Sequence, residues 1–215
     1  GSGVQAVLNA IEPADSEAPS QIFNPPIQVT NATVIATSWT SNNFDQAQLR
    51  FWVQDANAGI QFFLPEPLAP NIQVGQRVSF AATSGNVYSG HPQIDGVQDF
   101  VVNSSGNPVP YREATGSDIT AADYGRTVRV TGALSANNWE CGGSNRCWDL
   151  THGNKTVVMR SSTPWHVDGS INGSCVTFVG PVLGFPGPKD VQGATMTVQL
   201  EVINGAWLHM PQNFD

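Results

Sequence analysis

Residues 49–64 read Leu49-Arg-Phe-Trp-Val-Gln-Asp55, Ala56-Asn-Ala-Gly59, Ile60-Gln-Phe-Phe-Leu64: two alternating stretches around a short Asn/Gly turn. Period-two alternation broken by such a turn predicts an antiparallel hairpin. Leu49, Phe51 and Val53 share one face of the first strand, and Ile60, Phe62 and Leu64 share one face of the second. Successive side chains point to opposite faces, so these wholly apolar sets belong in a core. The outward set is then Arg50, Trp52 and Gln54 on one strand and Gln61 and Phe63 on the other. Trp52 and Phe63 fall within cross-strand or diagonal reach of each other.

The same layout extends in both directions and then recurs. Thr33–Trp39 precedes the hairpin; Val74-Gly-Gln-Arg-Val-Ser-Phe80 and a strand from Gln93-Ile94 to Phe100-Val101-Val102 follow it. Further on come Thr127–Leu134, Cys147–Leu150, a turn at His152-Gly-Asn154, Thr156–Met159, Cys175–Val179 and Thr195–Val202. Two consecutive five-strand meanders of roughly a hundred residues each predict two small β-barrels in tandem. The expected division is an acidic Pro/Ala-rich tether over 1–27, a first barrel over 28–110 and a second over 111–215. A β-sandwich of immunoglobulin type is the alternative that strand counting leaves open.

The 215 residues include 21 Gly and 15 Pro, and only 12% are charged, against roughly 25% in ordinary globular domains. Polarity from uncharged side chains and many turn residues fits joined strands and an extracytoplasmic bacterial protein. The net charge is −8, and the first repeat has Arg50 and Arg77 against five acids. Nucleic-acid affinity depends on cations that neutralise phosphates, so this repeat is a poor footprint for DNA or RNA. Gly1-Ser-Gly3 has the look of a cloning scar, and Glu12–Ser20 reads as a solvated tether. Together they lead us to expect a removed leader, with the protein in the periplasm, anchored at the outer membrane as a lipoprotein, or secreted.

Cys141 and Cys147 bracket a flexible Gly-Gly-Ser-Asn-Arg turn, which brings them within disulfide range; two unrelated thiols are the alternative. Cys175 is expected to be a buried free thiol. His91, His152, His166 and His209 form no HxH, HxxxH or HExxH pair, so each is expected at a turn or on the surface. The chain also lacks a Gly-x-Ser-x-Gly elbow and a phosphate loop. We therefore expect no catalysis, no metal and no cofactor.

The elements Phe51-Trp-Val-Gln-Asp55, Gly59-Ile60, Val74-Gly75 and Tyr88-Ser-Gly-His-Pro-Gln-Ile94 resemble the OB-fold domains of secreted bacterial proteins. These include domains that accompany extracellular sugar-non-specific nucleases. The likeness covers about residues 28–105; the second repeat matches only in outline. It implies an all-β fold of two tandem OB-like five-stranded Greek-key barrels. Their usual ligand face is strands two and three, with the loops joining strands one to two and four to five. The family's helix between strands three and four is not found in Pro65-Glu-Pro-Leu-Ala-Pro70. No nuclease catalytic part is present.

Arg50, Trp52, Gln54, Gln61 and Phe63 are thus the candidate ligand-binding residues. The two rings either stack on a ligand or pack under a loop or against the other barrel. A chain with two Lys and many aromatic residues suits a protein partner, because interfaces favour aromatic residues and Arg and shun Lys. The alternative is a single-stranded nucleic acid or an oligosaccharide on the outer sheet of the first barrel.

Overall fold

The computed structural model describes residues 1–11, 18–38, 44–69, 71–185 and 197–210. A short helix, α1 (Val4–Ala10), comes first, then strand β1 (Ala18–Thr37), helix α2 (Phe44–Leu49) and strands β2 (Arg50–Gln54) and β3 (Gly59–Phe63). β4 (Arg77–Tyr88) and β5 (His91–Ser104) complete the first unit, and β6 (Arg112–Glu113) leads to the second. That unit holds β7 (Thr127–Leu134), β8 (Trp139–Glu140), β9 (Arg146–His152), β10 (Lys155–Ser161), α3 (Pro164–Val167), β11 (Cys175–Pro181), β12 (Leu183–Phe185), β13 (Thr197–Val202) and β14 (Leu208–His209).

The first unit is a closed barrel in the order β1-β2-β3-β5-β4. Its neighbours are antiparallel except for β3 and β5, which run parallel with Gln61 opposite Gln93. The second unit repeats that order as β7-β9-β10-β13, with β10 and β13 parallel. Its ring closes through one kinked run. β11 pairs with β7 over Cys175–Pro181, and β12, one residue later, pairs with β13. Both units therefore have the five-strand OB order, and the sandwich alternative is set aside.

Alternation places the side chains as the sequence predicts. Phe51, Val53, Ile60 and Phe62 are fully buried in the first barrel, where Phe51 stacks on Phe62 at 4.5 Å and Phe62 meets Phe80 edge-on. Trp148, Leu150, Met159, Val176 and Phe178 fill the second. No helix lies in the described residues between β3 and β4. That loop is pinned instead by the buried Gln48, whose Oε1 accepts from the Ile72 N–H and whose Nε2 donates to the Ile72 carbonyl. In the second barrel α3 occupies the corresponding connection.

Three expectations are corrected. Residues 1–27 are not a solvated tether along their length: α1 buries Val4 and Val7, with Ile11, in the core of the first barrel, and β1 begins at Ala18. Residues 12–17 of that segment lie outside the described residues. Cys175 is free but exposed, because Val176 and Phe178 take the inward phase of β11. His91, His152 and His166 are buried and hydrogen-bonded rather than superficial. The Cys141–Cys147 disulfide is present.

Candidate ligand cleft between the barrels

On the outer face of β2 and β3 the register pairs Arg50 with Phe63, Trp52 with Gln61, and Gln54 with Gly59. The second barrel covers one end of this face. Trp52 is fully buried, joins the apolar cluster of the second barrel and meets Trp207 edge-on at 5.3 Å. The Gln54 Oε1 accepts from the Thr127 N–H at 2.9 Å. Gly59 lies backbone to backbone against Gly125; a Cβ at Gly59 would fall on the Gly125 carbonyl. That close approach requires glycine on steric grounds. Asn204 adds a hydrogen bond from its Nδ2 to the Thr37 carbonyl. Trp52 and Gln54 are therefore interface residues in this structure.

The other end of the face opens into a cleft of about 660 Å³ between the barrels. Arg50, Gln61 and Phe63 line it from β2 and β3, with Phe63 40% exposed. The β4–β5 turn contributes Tyr88, 64% exposed, and His91, while the second barrel contributes Arg160 and Glu201. Of the five candidate residues, the structure brings three together here. The loop joining β1 and β2, expected beside this face, includes residues 39–43, which lie outside the described residues.

Electrostatics set Arg160 and Glu201 of the second barrel against Arg50 of the first across the cleft. Burial pushes the Glu201 carboxyl above its ordinary range, while Arg160 and Arg50 pull it back. Burial lowers the Arg50 guanidinium, which Glu201 counteracts, and the guanidinium carbon sits 5.3 Å from the centroid of the Trp52 ring. Burial, followed by the Arg50 charge, holds His91 down at about 4, so the ring is neutral at pH 7. Its Nδ1 lies 3.2 Å from the Tyr124 hydroxyl of the second barrel.

The floor is incompletely satisfied. Gln61 Nε2 donates to Gln93 Oε1 at 2.6 Å, but Gln61 Oε1, Arg50 Nε and Trp52 Nε1 are buried with no hydrogen-bond partner among the described residues. A buried polar group left unpaired costs about 1–3 kcal/mol, and here two donors and one acceptor occur on neighbouring residues of one sheet face. Tyr88, His91, Gln93, Arg160 and Glu201 escaped sequence reasoning as site residues. Tyr88, His91 and Gln93 stand in the Tyr88–Ile94 motif, which speaks for the fold and not for a site, and Arg160 and Glu201 come from the other barrel.

No protein-family model matches the chain, and no curated protein matches it significantly. Among solved structures it is similar to the crystal structure of the tetrameric p202 HIN2, with 11% identity and a TM-score of 0.37 over 94% of this chain and 97% of that one. A structure described as the molecular basis for abrogation of activation of pro-inflammatory cytokines aligns at 8% identity and TM-score 0.38, covering 90% and 95%. Another, described as structural mimicry for functional antagonism, aligns at 9% and 0.36, covering 84% and 90%. Likeness this remote carries no argument about family or ligand. The OB order rests on the strand pairing itself.

Proposed function

We propose that the chain is a non-catalytic, extracytoplasmic binding protein that receives its ligand in the cleft between the barrels. The carrying observation is the buried, unpartnered Gln61 Oε1 and Arg50 Nε on the cleft floor, groups that a bound molecule would satisfy. The exposed Phe63 and Tyr88 rings flank them, as expected where a few polar groups and aromatic surface converge on a concavity.

The non-catalytic reading draws on the make-up of the cleft. Among the described residues that line it, Glu201 is the one carboxylate, whereas carboxylate-based hydrolysis of glycosides uses a pair. Among the described residues no three His, Cys, Asp or Glu side chains converge as metal ligands. The extracytoplasmic reading, with kinship to the OB domains of secreted bacterial proteins, draws on the Cys141–Cys147 disulfide and on the motifs of the first repeat. No helix among the described residues is long and apolar enough to cross a membrane. A protein partner is the second reading, favoured by the exposed Tyr88, Phe63 and Tyr111. A nucleic acid is disfavoured by the charge of −8 and by the Glu201 carboxylate on the wall.

The test is a double substitution, Gln61→Leu with Gln93→Leu. Replacing both partners of a hydrogen bond by apolar groups of similar shape is nearly neutral for stability. The double variant should melt within a few degrees of the parent and lose binding to whichever member of an oligosaccharide, peptide and oligonucleotide panel the parent retains. Unchanged binding by a folded double variant would move the site elsewhere.

A further inference from the structure

We infer that the cleft takes an uncharged carbohydrate chain, with a sugar hydroxyl seated over Gln61 and Arg50; this rests on the cleft being the binding site. The unpartnered groups are of both kinds, an acceptor at Gln61 Oε1 and a donor at Arg50 Nε. A hydroxyl both donates and accepts, so one or two adjacent hydroxyls satisfy both groups. A phosphate or carboxylate only accepts. It would leave Gln61 Oε1 unpaired and bring negative charge towards Glu201, which lines the same cleft.

The surroundings agree with that assignment. Arg50 and Arg160 are offset in part by Glu201, and His91 is neutral at pH 7, so the described lining holds just two cations against a carboxylate, fewer than a polyanion uses. The rings of Phe63 and Tyr88 stand open at its side, and an aromatic face packs against the apolar face of a pyranose as it does against other flat surfaces. Among the described residues, Ile203 is the one aliphatic side chain lining the cleft. A peptide would therefore find backbone partners but no apolar pocket for an anchoring side chain, which peptide recognition generally uses.

The experiment is calorimetric titration of the full chain with cellohexaose, xylohexaose, maltohexaose and chitohexaose, alongside oligothymidylate and an unstructured peptide. One neutral hexasaccharide should bind, with affinity changing less than about twofold from about 50 to about 500 mM NaCl. Tyr88→Ala should weaken it about tenfold or more without moving the melting temperature, because Tyr88 is exposed. Binding of oligothymidylate or the peptide in place of every sugar, or of none of these probes, would overturn the carbohydrate assignment. A sugar that binds equally well to Tyr88→Ala and to the Gln61→Leu/Gln93→Leu variant would overturn the cleft itself.

Discussion

The two barrels share a strand order and place a tryptophan in opposite phases of the second strand. In β2, Phe51 and Val53 point inward, and Trp52 points away from its own barrel. In β9, Trp148 and Leu150 point inward and Asp149 is exposed. Both tryptophans nevertheless lie in one apolar cluster: Trp148 as the core of its barrel, Trp52 as a wedge driven in from the neighbour. The outer face of β9 and β10 bears exposed Asp149, Thr151 and Thr156 and no aromatic ring, and it reaches the cleft through Arg160 at the end of β10. An outward aromatic thus joins the barrels at one end of the first barrel's sheet, and the polar remainder of that sheet is left to line the cleft.

The largest expected effect breaks the wedge. Trp52→Ala removes a fully buried ring from between the barrels, and large-to-small changes of this kind cost about 3–5 kcal/mol. Thermal melting should show a drop of many degrees, and far-ultraviolet spectra below the transition should stay native. A loss under about 1 kcal/mol would mean that the ring is solvated and the barrels are independent.

A smaller effect follows from His91, which bridges to Tyr124 across the same junction. Its folded pKa of about 4 lies below the ordinary value of 6.5, so the unfolded chain binds the proton first as pH falls. The stabilisation is complete above pH 6.5 and is lost progressively towards pH 4, by up to about 3 kcal/mol at 1.36 kcal/mol per unit. His152 and His166, also lowered by burial, act in the same sense. Glu201, raised by burial, acts in the opposite sense, since its contribution is present at low pH and lost as pH rises. In denaturant titrations from pH 7 to 4.5, His91→Gln should flatten the decline. An identical slope would remove His91 from the junction.

Much of the barrel was legible in the sequence because the core phase of a strand is a local property. Phe51, Val53, Ile60 and Phe62 declare it by alternation alone. The parallel pairing of β3 with β5 joins Gln61 to Gln93, 32 residues apart, and no local pattern encodes it; only the family resemblance anticipated the order. The helix α1 was hidden for a different reason. Val4, Val7 and Ile11 have helical spacing, but the acidic and proline-bearing residues after them dominated the composition of the segment. The candidate site was half legible. Alternation could say that Trp52 leaves its own barrel, but not that another barrel receives it, nor that Arg160 and Glu201 would face Arg50.

The most direct test of this division of one sheet is a backbone amide shift map of the full chain during titration with the hexasaccharide that binds. The expected result is a set of shifts at Arg50, Gln61 to Phe63 and the Tyr88–Gln93 turn, with Arg160 and Glu201 across the cleft, while Asp149–Thr151 and Thr156–Val158 stay unmoved. Shifts centred on the outer face of the second barrel, or spread over neither sheet, would contradict it.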